Sequence, residues 1–349
     1  MNLESLLKRK PDFLAGPGST QVSIGFDFNH SRLFAIELHS KGNRYELSRF
    51  ASQPTLTNIK QMGHAAGAFL EKAKFSVAKI NIALSGPLVL TRFIEFPKMD
   101  LKSLKASMRY EIEKYIPFQA EDVIADFHIL GGAGLEKKNM KVILVAAKKA
   151  EVFAMIETFH KTSFKIRCID IHAFACLNAF NFACPETTKG TTTLVDIGEE
   201  TSALLIVTEK EAAFIREISL GRKELVEILK KKLTWDESKN ETFELMEIVQ
   251  KNKDLFLDAM EPLASEIRLS LNYFTNNNPK IEPPRSFYVS GELCHIPEFR
   301  QNLKEIVGLE PQTWDCLRGI EIADHVSKQE LDSFRPMLPV SLGLALRTA

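Results

Sequence analysis

The sequence has no excess of charge of either sign and few cysteines. Its 349 residues contain 45 Lys+Arg and 45 Asp+Glu, so the formal net charge at pH 7 is zero. This balance argues against a protein that binds nucleic acid through bulk attraction to phosphate, and against a polybasic membrane-surface protein. The five cysteines do not have the spacing of a zinc site, which favours buried thiols in a reducing cytoplasm.

Long apolar runs and histidine metal motifs are also missing. No stretch of about 18 apolar residues occurs, so the sequence predicts no membrane-spanning helix. The first residues, with Glu4 and the basic run 8–10, lack the apolar core of a signal peptide. The histidines form no HxxxH or HExxH pair, which argues against a histidine metal site. We therefore expect a cytoplasmic protein that reaches a membrane only through a partner.

One order of predicted elements occurs twice in the chain. In each copy three strands are followed by a helix and, later, by a buried strand. The first copy has strands near 22–28, 32–39, 44–51 and 80–84, with a helix near 57–74. The second has strands near 192–197, 202–207, 212–218 and 286–290, with helices near 223–233, 242–251 and 255–274. The repetition predicts an α/β fold with two similar lobes.

A separate small module interrupts the first copy. It has predicted strands near 88–96, 123–130 and 141–147 and helices near 101–115 and 151–161. We therefore predict four parts: a mobile N-terminal segment 1–20, a first lobe 21–87 and 165–186, an inserted α+β subdomain 88–164, and a second lobe 187–349 with extra helices. The second lobe is expected to end in helices near 297–307 and 339–346.

Each copy has an aspartate within its first apolar strand, Asp27 in one and Asp196 in the other. A carboxylate is costly to bury unless its charge is used. The turn that follows such a strand can direct backbone N–H groups at phosphate, while the aspartate holds a divalent ion. The pair therefore favours phosphate binding by these two turns. The alternative is that both aspartates only cap hairpins.

Three segments resemble a known family. They are RYEIEKYIPF at 109–118 with Asp126-Phe127 after it, FIREI at 214–218 with Gly221, and VSLGLALR at 340–347. These segments resemble the PilM family of type IV pilus assembly proteins, which is similar to the division protein FtsA. The resemblance covers about residues 20–347 and implies an actin-like (ribonuclease H-like) duplicated two-lobe fold.

The resemblance also implies a cleft for ATP and Mg²⁺ between the lobes. The residues that match the family's three nucleotide loops are Asp27, Asn29, His30, Ser31, Asp196, Gly198, Thr201, Ser290 and Gly291, with Asp27 and Asp196 near the metal. Each loop departs from the family pattern: Asn29 and His30 replace a glycine and a serine, and Glu199, Glu200 and Glu292 bring carboxylates. These carboxylates predict a local excess of negative charge, which disfavours a triphosphate. Two alternatives therefore remain: the cleft binds ATP, or the fold no longer needs this ligand.

A partner groove is the second implication of the resemblance. In the family, the groove between the first lobe and the insert takes the N-terminal cytoplasmic peptide of the inner-membrane protein PilN. The matching residues are Phe93, Phe96, Tyr115, Ile116, Pro117 and Phe118. The alternative is that these side chains form the core of the insert, and we expect Phe93 and Phe96 to share one face of their strand.

The function implied is a cytoplasmic scaffold of type IV pilus, secretion or competence assembly. It would lie at the inner membrane through a PilN-like partner and contact the assembly motor or platform. Assembly with its own copies stays open. An ATP-dependent enzyme of the sugar-kinase kind is one alternative, but the altered loops argue against it. Asp170, at a strand-to-helix junction, could act on a substrate or cap the helix. An FtsA-like filament is the other alternative.

Overall fold

The computed structural model describes residues 20–28, 32–54, 62–86, 89–130, 138–160, 162–188, 190–235 and 244–347. The described strands are β1 (Gln21–Asp27), β2 (Arg32–Lys41), β3 (Arg44–Pro54), β4 (Lys79–Leu84), β5 (Val89–Pro97), β6 (Val123–Leu130), β7 (Asn139–Lys148), β8 (Lys165–Ile171), β9 (Thr191–Ile197), β10 (Ser202–Thr208), β11 (Glu211–Ile218), β12 (Ser286–Gly291), β13 (Pro311–Thr313) and β14 (Glu321–Ile322). The described α-helices are α1 (Met62–Lys72), α2 (Leu101–Glu111), α3 (Lys149–His160), α4 (His172–Ala183), α5 (Arg222–Lys232), α6 (Leu245–Lys251), α7 (Lys253–Asn277), α8 (Pro297–Val307), α9 (Lys328–Phe334) and α10 (Pro339–Ala345).

Two sheets share one topology. The first sheet has the order β14-β3-β2-β1-β4-β8, and the second has the order β11-β10-β9-β12-β13. In both, the first strand of the copy pairs antiparallel with the next strand and parallel with the strand that follows the meander. Asp27 lies opposite Phe34, and Asp196 lies opposite Ala203 at the same place in the second sheet. The duplication expected from the sequence is therefore present.

The insert is a three-stranded antiparallel sheet, β5-β7-β6, covered by α2. Leu104 and Met108 of α2 are buried against the sheet. Asp100 caps this helix, because its Oδ1 accepts hydrogen bonds from the backbone N–H groups of Lys102 (2.8 Å) and Ser103 (3.0 Å). After Glu111 the chain continues as one 3₁₀ turn, Ile112–Lys114, so the helix ends earlier than predicted.

Two helices, α4 and α10, lie between the sheets. α10 packs on β1 of the first sheet, α4 packs on β9 and β10 of the second, and the two helices pack on each other. Two glycines allow this close approach. A Cβ at Gly25 would lie 1.8 Å from the Ser341 carbonyl oxygen, and a Cβ at Gly343 would lie 1.7 Å from the Ala175 carbonyl oxygen. We call this arrangement the helix junction.

The sequence missed three short elements, β13, β14 and α9. Two or three residues of strand carry too little alternation to be recognised. β14 pairs with β3, so this part of the predicted second lobe joins the first sheet. α10 likewise packs on the first sheet. The residue bounds predicted for the four parts stay predictions, and the segment 1–19 lies outside the described residues.

None of the helices that the structure describes is both long enough and apolar enough to cross a membrane. Each cysteine is free, and Cys176, Cys184 and Cys316 are buried. Burial, with the nearby charge of Glu186, raises the pKa of Cys184 to about 11. Within the described ranges, no group of three or more His, Cys, Asp or Glu side chains could hold a metal ion.

Candidate interlobe site

Three elements meet at Asp196, the penultimate residue of β9. The side chain of Asp196 is 2% exposed. One of its oxygens lies 2.6 Å from Nε2 of His172, the first residue of α4. The other oxygen accepts a hydrogen bond from Ser290 Oγ on β12, whose backbone lies opposite Asp196 in the sheet. Asp196 therefore connects the second sheet to α4 at the base of the cleft.

The turn after Asp196 is closed by backbone hydrogen bonds. The Gly198 N–H donates to the Thr201 carbonyl (3.0 Å). The first amides of α5, those of Arg222 and Lys223, donate to the carbonyls of Gly198 and Glu199, both at 2.9 Å. Gly221 makes this approach possible, because a Cβ there would lie 2.6 Å from the Glu199 carbonyl oxygen. The amides at the start of α5 thus already have acceptors within the chain.

The carboxylates of this turn are paired with cations. Arg222 Nε lies 2.8 Å from Glu199 and 3.1 Å from Glu292, and the Lys223 ammonium lies 3.0 Å from Glu200. Burial alone would lower the pKa of Arg222, but the hydrogen bond to Glu199 and the charge of Glu292 raise it overall. The negative excess predicted from Glu199, Glu200 and Glu292 is therefore neutralised locally. We call Glu199, Glu200, Arg222, Lys223 and Glu292 the charged turn.

Gly291 brings β12 close to the same turn. Its φ is +109°, a conformation that side chains with a Cβ rarely adopt, and a Cβ would lie 2.2 Å from the Ile197 carbonyl oxygen. The structure thus brings together Asp196, Gly198, Ser290 and Gly291 of the predicted site, with Thr201 at the end of the turn. Asp27 is fully buried at the corresponding end of the first sheet. Asn29, His30 and Ser31 lie outside the described residues.

A cavity of about 330 Å³ opens beside this turn. Its wall combines three parts of the chain: the first lobe, the insert and the second lobe. The lining residues include Gly86, Val89, Thr91, His172, Ala203 and Ile215. Glu217 of β11 connects the second lobe to the first, because its carboxylate accepts a hydrogen bond from the Gly86 backbone N–H. Sequence reasoning missed this cavity, since its wall depends on how the insert packs against β11.

The predicted partner residues divide into two groups. Phe96 and Ile116 are 3% and 5% exposed and belong to the core of the insert. Phe93 is 37% exposed. The expectation that Phe93 and Phe96 share a strand face is wrong, because residues three apart on a strand point to opposite faces.

The remaining partner candidates lie at the edge of the insert core. Tyr115 packs its ring against Phe96 with the ring centres 6.1 Å apart, and Phe118 lies under the Lys148 ammonium at 4.8 Å. Both are half-buried, whereas Pro117 is exposed. The alternative reading, in which these side chains build the insert, therefore holds for Phe96 and Ile116.

Asp170 has a structural partner. Its buried carboxylate pairs with the Arg347 guanidinium from the end of the chain and accepts a hydrogen bond from the Ile171 N–H (2.8 Å). Burial raises the pKa of Asp170, and the Arg347 charge opposes that shift. The helix α4 has Ile171 at its N-cap without a side-chain bond, so the predicted cap by Asp170 is wrong.

The described residues do not form a cradle for a magnesium triphosphate as they stand. Both oxygens of Asp196 are engaged by His172 and Ser290, and the first amides of α5 donate to the turn. Arg222 faces Glu199 and Glu292. A phosphate chain would have to displace these contacts, so the described residues do not fit this group in their present arrangement.

Comparison with known proteins identifies the family to which the chain belongs. The sequence model of the family described as type IV pilus assembly protein PilM matches residues 25–349. The chain belongs to the PilM family. The resemblance carried by the YIPF segment and the C-terminal helix is therefore confirmed, and the protein is an actin-like protein of type IV pilus assembly.

Solved structures agree with the fold. A structure described as the "PilM-PilN type IV pilus biogenesis complex" matches with a TM-score of 0.80 and 22% identity, over 93% of this chain and 98% of that chain. The ethanolamine utilization protein EutJ from Carboxydothermus hydrogenoformans matches with a TM-score of 0.56 and 11% identity, over 99% of this chain and 95% of that chain. These similarities confirm the actin-like fold predicted for this PilM-family chain.

Proposed function

We propose that this PilM-family protein is a cytoplasmic docking scaffold that binds an extended peptide of a PilN-like inner-membrane protein. The peptide would lie in the cavity whose wall combines the first lobe, the insert and the second lobe, whereas the family resemblance implies a groove between the first lobe and the insert. Family membership supports the assembly role, and the matching structure is described as a complex of PilM with PilN. The observation that carries the proposal is the position of two strand edges beside the cavity.

The edges belong to β5 and β11. In their described sheets, β5 pairs only with β7 and β11 pairs only with β10, so each is an edge strand. Residues of both strands line the cavity, among them Val89, Thr91 and Ile215. An edge strand presents unpaired backbone N–H and C=O groups and can accept a further strand. An extended peptide would satisfy these groups.

The side chains around the cavity suit a peptide with both apolar and polar residues, because Arg92, Arg216 and Glu217 line the cavity together with apolar groups. Val89, Ala173, Ala203 and Ile215 give apolar contact, and a volume of about 330 Å³ is in the range of ligand pockets. Phe93 follows Thr91 on the same face of β5, so its exposed ring extends the apolar surface along the strand. Among the partner residues predicted from the sequence, Phe93 is thus the one that would contact the peptide.

Catalysis is not part of the proposal. Asp170, the candidate for an enzymatic role, is held by Arg347. Binding of Mg-ATP stays a prediction from the family resemblance, and so does contact with the assembly motor or with further copies of the chain. If nucleotide binds, it would act on the angle between the lobes and thereby on the width of the cavity.

A labelled peptide from the cytoplasmic N-terminus of the cognate PilN-like protein tests the proposal by fluorescence anisotropy. Thr91→Trp fills the cavity and is expected to weaken binding at least about tenfold. Phe93→Asp is expected to weaken it less. Phe153→Asp is the matched control, because Phe153 is an exposed aromatic side chain on α3, at 42% exposure. Absence of binding to the unmodified protein, with and without Mg-ATP, would refute the proposal.

A further inference from the structure

The outer side of α2 in the insert carries exposed cations and apolar side chains. Leu104 and Met108 face inward. The exposed residues of this helix and of the segment just before it include Lys98, Leu101, Lys102, Lys105, Arg109 and Tyr110. We call this set the α2 basic face. At about 100° per residue, Lys102, Lys105 and Arg109 lie within about 60° of one another around α2 and form a cationic stripe, and Leu101 and Tyr110 lie beyond its two opposite margins.

Three acidic residues close to α2, Asp100, Glu111 and Glu113, have partners other than the cationic groups of this face. Asp100 accepts the N-cap hydrogen bonds and a further one from the Ser103 hydroxyl (2.7 Å). Glu111 pairs with Lys114 (3.7 Å), and Glu113 accepts a hydrogen bond from the Ala120 N–H (2.8 Å). In contrast, none of the cations of the α2 basic face has a carboxylate within 4.0 Å among the described residues.

Further cations lie at the adjacent end of the insert sheet. The Lys98 N–H donates to the Lys138 carbonyl (2.9 Å), and Lys141 begins the described pairing of β7 with β6, opposite Leu130. Both lysines are exposed. Glu95, opposite Lys141 across the β5-β7 pair, is the acidic side chain nearest this end in the strand register. Lys98 and Lys138 therefore extend the positive charge from the helix to this end of the insert, whereas Lys141 has the carboxylate of Glu95 opposite it.

Two apolar side chains accompany these charges. Leu101 is 50% exposed and Tyr110 is 86% exposed. They border the cationic stripe on its two sides. Apolar side chains beside lysines are typical of surfaces that lie in the headgroup region of a membrane, where the apolar parts enter the interface. An acidic protein partner would also attract the cations, but it would need carboxylates at matching positions, whereas an anionic bilayer accepts any spacing of cations.

We infer that the α2 basic face binds the surface of a membrane rich in anionic lipid. This contact is a second attachment to the membrane, independent of a protein partner. A zero net charge argues only against attraction by the whole protein, because the cations here are concentrated on one flank. The inference does not rest on the peptide site, since lipid vesicles contain no protein partner.

Sedimentation of the full chain with sucrose-loaded vesicles tests the inference. The protein is expected to bind phosphatidylglycerol-containing vesicles and to remain in solution with pure phosphatidylcholine. About 1 M salt should release it, because the Debye length falls to about 3 Å. The variant Lys102→Gln, Lys105→Gln, Arg109→Gln is expected to lower the partition coefficient by more than about tenfold. Leu101→Ser with Tyr110→Ser should lower it by a smaller factor.

A charge-matched variant separates this face from total charge. Lys72, Lys79 and Lys165 are exposed lysines of the first lobe, outside the insert. Replacing these three by glutamine removes the same charge and should leave vesicle binding unchanged. Equal loss in both triple variants, retention by the α2 variant, or equal binding to phosphatidylcholine would overturn the inference. Circular dichroism and thermal melting confirm that each variant is folded.

Discussion

The helix junction and the charged turn both lie beside the interlobe region, but they are built differently. The helix junction packs helices against both sheets, whereas the residues of the charged turn all belong to the predicted second lobe. At the helix junction, the backbone at Gly25 packs directly on α10 and the backbone at Gly343 packs directly on α4. A side chain at either glycine would displace the main chain of the neighbouring helix. At the charged turn, contact is made by ion pairs whose members keep access to water, such as Arg222 at 21% and Glu292 at 40% side-chain exposure.

This difference indicates which part of the interlobe region can change without loss of the fold. Closely packed backbone cannot accept an added group without moving as a unit. A charged group in an exposed ion pair can exchange its partner for water or a ligand at a small cost in free energy. The helix junction therefore fixes how the two sheets of this chain are placed relative to each other. Substitutions in the charged turn can therefore change ligand binding without loss of the fold.

The largest effect is expected from Gly343→Ala. The new methyl group would lie 1.7 Å from the Ala175 carbonyl oxygen, which belongs to a helix and cannot move alone. We expect a loss of more than about 4 kcal/mol in the free energy of unfolding, measured by urea denaturation. Failure of the variant to accumulate as folded protein would be the same result in its extreme form.

Gly67→Ala is the control for that substitution. Gly67 also lies in a helix, α1, but its added Cβ would meet the Thr162 side chain at 2.3 Å instead of backbone. A side chain can shift, and alanine favours the helix by about 1 kcal/mol over glycine. We expect a change far smaller than at Gly343. Comparable losses at both positions would show that the helix junction is not special.

A smaller effect is expected from Arg347→Met, which removes the cation that faces Asp170 beside the helix junction. The side chain of Asp170 is 5% exposed, so its carboxylate would be left buried without its ion partner. Breaking a buried pair in this way costs about 3 kcal/mol at neutral pH. Urea denaturation at pH 7.5 measures the loss, and the variant Arg347→Met, Asp170→Asn should recover part of it.

The sign of the pH dependence follows from Asp170. Burial raises its pKa in the folded protein, and Arg347 opposes this shift, so removing Arg347 raises the pKa further. A carboxyl group with a raised folded-state pKa favours folding below its unfolded pKa, and this contribution is lost as pH rises through the folded pKa. The deficit of Arg347→Met relative to the unmodified protein should therefore shrink between pH 7.5 and pH 5.5. A constant deficit would contradict the pairing.

The sequence predicted the duplicated meanders because alternation and turn residues are local signals, and it placed Asp27 and Asp196 at equivalent strand ends. It could not predict the partners of those residues. Arg222 follows Glu199 by 23 positions, Glu292 follows Arg222 by another 70, and the contact among the three depends on how β12 meets α5. The helix junction was out of reach for the same reason, because a glycine within a strand or helix has many explanations until its neighbour is known.

The smallest effect on stability is expected from Glu199→Gln with Glu292→Gln in the charged turn. Ion pairs with this access to water contribute about 0–1 kcal/mol, so urea denaturation should change little. Arg222 would lose both carboxylates and become available to a phosphate group, because guanidinium and phosphate pair well. Calorimetric titration with Mg-ATP should then show an affinity about tenfold higher than that of the unmodified protein. Glu200→Gln removes a carboxylate that pairs with Lys223 instead, so it should leave the titration unchanged. An unchanged affinity in the double variant would mean that engagement of Asp196 by His172 and Ser290 is what excludes the triphosphate, and would place the barrier in the buried part of the cleft.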